Sequence, residues 1–288
     1  MIAYKKISHK DYNDLLDISK DIWGGTDYLP QIFHQWVDDI GFFLGAYTEN
    51  DKLVGCAKLS VLFDGTGWLE GLRVHKDYRN LGIGKELASR ILKIAKDYLS
   101  QNKIRQIAFA THVTNVESIN INTKLGFEKK WENIILCKSE NYQPKMKRED
   151  FSVEYIELKF EDFVSLEYSQ KRQGLIPLSF KFEKVTEDLI NKMNKNKQFI
   201  SINGYIGMYA KKGDLSFECF DTTAESIDTF FEYFSILAKE MGSPQPYTSI
   251  TKDDLNIKNN LIEKGFETWY DWKPDYFYYV LSDIHLTF

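Results

Sequence analysis

From residue 83 the chain sets Ile83, Leu87, Ile91, Ala95 and Tyr98 three to four positions apart, with Lys85, Arg90, Lys93 and Lys96 on other faces. That spacing predicts an amphipathic helix from Gly82 to about Leu99. Before it, residues 2–7 read as a short strand and Lys10–Ser19 as a helix with Leu15, Leu16 and Ile18 turned to a core. The turn-rich run Trp23-Gly24-Gly25-Thr26-Asp27-Tyr28-Leu29-Pro30 leads into helical sequence around Phe33–Asp38. Strands are predicted at Phe42–Thr48 and Leu53–Phe63, joined by a turn at residues 49–52, and at residues 67–75. After the long helix come a strand at 105–111, a helix Asn115–Leu125 stopped at Gly126, and a strand Phe127–Lys138.

Residues 138–150, KSENYQPKMKRED, are charged and polar and read as a linker, dividing the chain into domains 1–145 and 146–288. Beyond it the pattern echoes the first half. Phe199–Ser201, Gly204–Ala210 and Leu215–Phe220 read as strands and Ser226–Met241 as a helix. A helix ending at Glu263-Lys264-Gly265-Phe266-Glu267 repeats the punctuation of Lys124-Leu125-Gly126-Phe127-Glu128. The shared order of strands, helix, helix, glycine stop and strand suggests duplication. The aromatic-rich end from Trp269 to Tyr279 alternates like a packed strand.

Composition narrows the function classes. A net charge of -5 over 288 residues gives no basic footprint for nucleic acid or an anionic membrane. Cys56, Cys137 and Cys219 are an odd, widely spaced set that suits neither a disulfide framework nor a zinc site. The opening residues lack a signal peptide's apolar core, and no run approaches membrane-spanning length, so a reducing, cytoplasmic setting is expected. No metal is expected either, since His9, His34, His75 and His285 form no ligand spacing with each other or with carboxylates.

Arg79-Asn80-Leu81-Gly82-Ile83-Gly84 fits R-x-x-G-x-G between a strand and an amphipathic helix. Glycines there leave backbone N–H groups bare to a phosphate, the helix N-terminus adds a positive field, and Arg79 and Lys85 supply charge. A Rossmann reading fails because its third glycine would fall at Leu87, and no G-x-x-x-x-G-K-[ST] is present.

With that loop set in strand–motif–helix–strand–helix–KLGF, the sequence resembles the GNAT (GCN5-related) N-acetyltransferase superfamily, strongly over residues 1–138 and faintly beyond. The resemblance implies an α/β fold with a mixed sheet, followed by a second, degenerate GNAT-like C-terminal domain. It implies acetyl-CoA, its pyrophosphate cradled by Asn80, Leu81, Gly82, Ile83, Gly84 and Lys85 and its pantetheine arm laid along Leu72, Arg73 and Val74. The arm would enter where the strands of 67–75 and 105–111 splay apart, and Gly71 fits a bulge that ends normal pairing. Asn115 matches a family asparagine on the cofactor side. Ser118 stands where alanine is common, and Asn122 where a tyrosine is often the general acid, leaving Asn122 to donate to the sulfur or the oxyanion.

The implied reaction is attack of a neutral amine on a thioester. An amine with a pKa near ~10.4 must first lose a proton at neutral pH, and a thiolate of pKa around ~8.5 leaves without strong help. Glu70 is the expected base, directly or through water, or else the residue that orients the amine. His112, ending the second splayed strand, is a further candidate toward the substrate. Gly24, Gly25, Asp27, Tyr28, Leu29, Pro30 and Trp36 are similar to the vertebrate histidine N-acetyltransferases and their bacterial relatives, a group that acetylates a free amino-acid α-amine. Asp27 and Glu70 would then attract an ammonium and Tyr28 pack on the side chain, with Arg73 the nearest basic group for a carboxylate. Tyr28, Leu29 and Trp36 would serve equally as core staples. Aminoglycosides, polyamines and protein N-termini are the alternative acceptors, and a non-catalytic acyl-CoA sensor the alternative function. In the second half, Asp221-Thr222-Thr223-Ala224-Glu225 has no glycine and two acids at the loop position, which argues against a second cofactor site. Oligomeric state stays open.

Overall fold

The computed structural model of the chain describes residues 1–210 and 215–282, with Trp23 described in its main chain only. Its contacts gather into two compact units. The first holds Met1–Phe109, Asn115–Lys129 and, at the described end, residues 279–282; the second holds Ala110–Thr114 and Lys130–Tyr278.

The first unit runs β1 (Ala3–Lys6), α1 (Tyr12–Ser19), α2 (Leu29–Asp38), β2 (Gly41–Tyr47), β3 (Leu53–Val61), β4 (Thr66–Val74), α3 (Ile83–Ser100), β5 (Gln106–His112), α4 (Val116–Lys124) and β6 (Phe127–Lys138). The last residues of β5 and most of β6 belong to the second unit. β1 to β4 pair antiparallel with their neighbours, and β4 pairs parallel with β5. Leu15 and Ile18 of α1 and Phe33 and Trp36 of α2 bury against Phe43, Tyr47 and Cys56 of the sheet. Leu16, expected inward, is 40% exposed. It lies about 100° round the helix from Leu15, off the stripe that Leu15 and Ile18 share. The face of α3 made by Ile83, Leu87, Ile91 and Ala95 is buried as its period predicts. It packs at Gly55, where a side chain would come within 3.0 Å of Leu87. Cys56 meets α1 and α2, so strand alternation puts α3 on the other face of the sheet.

β4 carries one extra residue. Cys56 pairs with Arg73 and Lys58 with Glu70, so Ala57 alone faces Gly71 and Leu72. Gly71 sits at φ +70°, the left-handed conformation of a glycine bulge. The Trp36 ring fills the place of its missing side chain, 2.4 Å from where a Cβ would lie. Gly71→Ala is therefore expected to cost about 1–3 kcal/mol from overpacking and strain, read as a lower midpoint in urea denaturation.

The second unit continues with β7 (Val153–Tyr155), α5 (Phe160–Ser165), α6 (Glu167–Lys171), β8 (Leu175–Leu178), β9 (Lys181–Lys184), α7 (Glu187–Lys195), β10 (Phe199–Ile202), β11 (Tyr205–Ala210) and β12 (Ser216–Cys219). Then come α8 (Ala224–Met241), β13 (Thr248–Ile250), α9 (Lys258–Glu263), β14 (Phe266–Thr268) and β15 (Tyr276–Leu281). An antiparallel sheet runs β12-β11-β10-β7, and β13 and β14 pair with the end of β6. Phe230, Phe231 and Phe234 of α8 pack with Phe217 in its largest core.

Two expectations need correcting in this unit. The polar stretch 138–150 is not a free linker. Lys138 is buried and ion-paired to Asp228, Tyr142 packs on the core, and the Lys145 N–H donates to Glu232. The contacts accordingly divide the chain elsewhere than at residue 145. The aromatic run is strand only from Tyr276: Asp271 and Trp272 take φ of +48° and +57° in a turn that the Thr268 hydroxyl closes on the Trp272 N–H. Trp269 and Tyr270 are accordingly 47% and 44% exposed.

Candidate active site

The site grows from the junction of β4 and α3. Arg79 is exposed and its Nε donates to the Val74 carbonyl at 3.2 Å. Asn80 and Gly82 both adopt left-handed backbone, at φ +63° and +80°. Gly82 is the N-cap of α3 and has no side-chain oxygen to offer. The first helical bond runs from the Glu86 N–H to the Gly82 carbonyl. The N–H groups of Ile83, Gly84 and Lys85 thus precede the helical ladder and sit at the positive end of an 18-residue dipole. A Cβ on Gly82 would meet nothing within 4 Å. Its backbone angle, and not packing, calls for glycine, and the space beside it is open.

Along β4, pairing with β5 covers Thr66–Trp68 against Gln106–Ala108 and goes no further. This is the splay expected beside Gly71. Two carbonyls on the later stretch accept from side chains: Leu72 from Arg73 Nη1 and Val74 from Arg79.

The bulge sets the chemistry of this strand. Residues three apart on a regular strand point to opposite faces. With one residue extra, Glu70 lies opposite Lys58 and Arg73 opposite Cys56, so both share the face of α2. There the Ser60 hydroxyl donates to Glu70 Oε1 at 2.6 Å. Lys58 is fully buried, donating to the Trp36 carbonyl and paired with Asp39, and burial holds its ammonium below the usual range. Arg73 grips Asp27 with two bonds, Nε to Oδ2 and Nη2 to Oδ1, each 3.2 Å. Its guanidinium also lies 5.6 Å from the Tyr28 ring centre. Loss of hydration pushes the Tyr28 hydroxyl up to about 12, with Glu70 and Asp27 acting the same way and Arg73 against it. Tyr28 stands edge-on to Trp36, so it is a staple of α2 that keeps part of its ring exposed.

The remaining candidates are placed otherwise. Asn115 caps α4, its Oδ1 accepting from the Ser118 N–H at 3.4 Å. The Asn122 amide donates back to the Ser118 carbonyl at 2.9 Å and to its hydroxyl at 3.3 Å. It therefore supports α4 one turn down, which competes with donation to a leaving sulfur. His112 falls in the second unit, bonded to Thr114 and 5.6 Å from the Trp269 ring, with burial holding its imidazole below the usual range. His9 and His34, far apart in sequence, stack with their Nδ1 atoms 2.8 Å apart. Among the described residues no group of three or more His, Cys, Asp or Glu could hold a metal. His285 lies outside the described residues. Sequence reading missed Ser60 and Lys58. The signal for both was register, since folding the strands about Asp64-Gly65 sets them across from Trp68 and Glu70.

The Acetyltransferase (GNAT) family matches residues 11–127. Those residues are a GNAT acetyltransferase domain. Over 101 residues the chain is 28% identical to the histidine N-acetyltransferase of Xenopus tropicalis, covering 35% of this chain and 31% of that protein. The Oreochromis niloticus histidine N-acetyltransferase is 26% identical over 104 residues, 36% of this chain and 31% of its own. The chain thus spans about a third of the length of these curated relatives. A GCN5-related N-acetyltransferase from Sphaerobacter thermophilus shares the fold, with a TM-score of 0.60 over 97% of this chain and 95% of its own at 8% identity. The architecture is the mixed α/β GNAT fold. Among the described residues no helix is long and apolar enough to cross a membrane.

Proposed function

We propose that the chain is an acetyl-CoA-dependent N-acetyltransferase acting on a primary amine of a small molecule, with free amino acids as the acceptor class. The uncapped N-terminus of α3, opening beside the strand that carries Glu70, carries this reading. The residues present fit a pyrophosphate. The amides of Ile83, Gly84 and Lys85 would hold it, with the Arg79 and Lys85 charges beside them, and the edge of Leu72, Arg73 and Val74 would take the pantetheine arm. Bound there, acetyl-CoA supplies the thioester.

On the acceptor face, Asp27 answers Arg73 and Asp39 answers Lys58, while Glu70 takes a hydroxyl bond from Ser60. Glu70, opposite Lys58 on the same face, is assigned as the carboxylate that draws an ammonium and removes its proton, with Ser60 fixing its orientation. Asp27 acts by holding Arg73 and Tyr28 in place. The likeness to histidine N-acetyltransferases over about a third of the chain supports an α-amine. Measuring thiol release from acetyl-CoA against free amino acids, aminoglycosides, polyamines and N-terminal peptides tests this. Turnover confined to the last three classes would reassign the acceptor, and binding without thiol release would make the protein a sensor.

Gly84→Glu is a clean probe of the cradle, because a Cβ there meets only Val74 at an ordinary 3.5 Å. Folding should survive. A negative charge over the amides should raise the acetyl-CoA dissociation constant at least about tenfold, some 1.4 kcal/mol, by calorimetry.

A single cofactor per chain is part of the same proposal. α8 matches α3 in length at 18 residues, and in both units antiparallel strands, a long helix, a strand, a shorter helix, a glycine and a strand follow in that order. We read the second unit as a degenerate GNAT-like copy. At the start of α8, Thr223 Oγ1 accepts the Ser226 N–H at 3.1 Å, and the Ser226 hydroxyl donates to the Asp221 carbonyl. Side chains occupy the place a phosphate would need. Calorimetry should return one acetyl-CoA per chain, and two would overturn this.

A further inference from the structure

Of the residues between β4 and α3, only His75 is buried, at 4% exposure. Its main chain ties the start of the turn. The His75 N–H donates to the Val54 carbonyl of β3 at 2.9 Å, and its carbonyl accepts the Tyr78 N–H at 2.9 Å. The ring adds two contacts. Nδ1 accepts the Asp77 N–H at 3.2 Å, the bond an Asx side chain makes to the amide two residues on. Nε2 lies 3.1 Å from Asp17 Oδ2 on α1, close enough for its charge to act though not aligned for a hydrogen bond.

These contacts fix the protonation state. A ring nitrogen that accepts an amide proton holds none of its own, so Nδ1 is bare and the ring proton sits on Nε2, beside Asp17. Asp17 stays ionised there, because hydrogen bonds from Lys20 and Lys52 hold its carboxyl well below the usual range. A second proton can enter only at Nδ1, where it displaces the Asp77 amide. The Asp77 carboxylate, with Oδ2 3.8 Å from Nδ1, is the acceptor at hand for it. The other charged groups on the packed elements are Asp14 of α1, Lys20 and Asp21 just past it, Lys52 ahead of β3, and Lys76 in the turn. Asp14 is taken by the Leu53 N–H and Lys76 pairs with Asp21 at 3.0 Å. The Tyr78 ring stands edge-on to His75 at 5.8 Å.

The turn that His75 folds leads through Arg79 and the left-handed Asn80 to the open amides of Ile83 and Gly84. A change of pitch at residues 76–78 therefore moves the donors a pyrophosphate needs. We propose that His75 is a positioning residue for the cofactor: as a neutral ring it folds the turn that presents α3, and on gaining a proton it releases the turn and weakens acetyl-CoA binding. The link to acetyl-CoA rests on the transfer reading above; the proton-gated turn does not. The neutral ring is the binding form. The effect is thus complete above the imidazole's titration and lost as the pH falls through it.

In ¹⁵N NMR of the full chain, the His75 ring should show the Nε2–H tautomer at about pH 8. The Asp77 amide signal should then move with the same midpoint as the ring as the pH is lowered to about 5.5. Calorimetry adds the cofactor. Over that range acetyl-CoA affinity should fall about fivefold more in the wild type than in His75→Asn, whose amide oxygen accepts at every pH; one hydrogen bond is worth that much. Comparing the two proteins cancels the protons taken up by the ligand itself. His75→Phe, with no acceptor, should bind about fivefold more weakly at the upper pH and follow the shallower profile. An Nδ1–H tautomer, an Asp77 amide that ignores the ring's titration, or equal pH profiles in the wild type and His75→Asn would each overturn the proposal. No acetyl-CoA binding at any pH, with ring and amide coupled as stated, would overturn the transfer reading and leave the proton-gated turn supported.

Discussion

Asp27→Ala is expected to destabilise the first unit by about 3–5 kcal/mol, since it strands a buried guanidinium without its partner. The side chains of Arg73 and Asp27 are only 10% and 1% exposed, and the pair is held by two bonds of 3.2 Å. Solvent can do little to replace the lost carboxylate. Asp27 also anchors the start of α2 through the Leu29 N–H at 3.3 Å, so part of the loss should be local to that helix. Replacing both partners, Asp27→Leu with Arg73→Met, removes the desolvation penalty together with the attraction and should recover most of the stability. Urea denaturation of the full chain measures this. If the single and the double variant are equally damaged, the pair matters through packing alone.

Glu70→Gln should lower turnover by about 10² or more while acetyl-CoA affinity is retained. The amide keeps the shape and can still accept from Ser60, but it cannot take a proton. Raising the pH should partly rescue the variant, because solvent then supplies more of the neutral amine. Ser60→Ala should show a milder loss without that rescue, as expected for a residue that only positions. A mild Glu70→Gln alongside a crippled His112→Ala would mean that the base was assigned to the wrong residue.

Much of the first unit was legible because long elements carry strong periods. The stripe Ile83, Leu87, Ile91, Ala95 gave α3 to within a residue of its end, and the R-x-x-G-x-G spacing gave its open N-terminus. Gly71 announced the bulge, because few other reasons place a glycine inside an apolar strand. The partners of Glu70 and Arg73 were hidden, since they depend on which strand residues face each other. Asp27 read as a lure for the substrate's ammonium, whereas its side chain is spent on Arg73. In the second unit α5, α6, β8 and β9 are each six residues or fewer, too short for a period to show. The stretch 138–150 misled for another reason. Its charges looked solvated, yet Lys138 lies beneath Tyr142 and Phe266 and pairs with Asp228.

The extra residue in β4 also acts as a change of phase. Up to Glu70, even-numbered positions look toward α2; from Arg73 onward, odd-numbered ones do. Lengths on the two sides of Gly71 are therefore not interchangeable. Deleting one residue at 71 or 72 would straighten the ladder and leave Arg73 opposite Cys56, whereas regular pairing with both residues kept would turn Arg73 away from Asp27 with no change of side-chain chemistry. Glu70 would keep its place opposite Lys58. The strand's parity is thus a second code, written in residue count, that decides which groups share the acceptor face. Chimeras that join this strand to one lacking the bulge must cross at or before Glu70 to keep it.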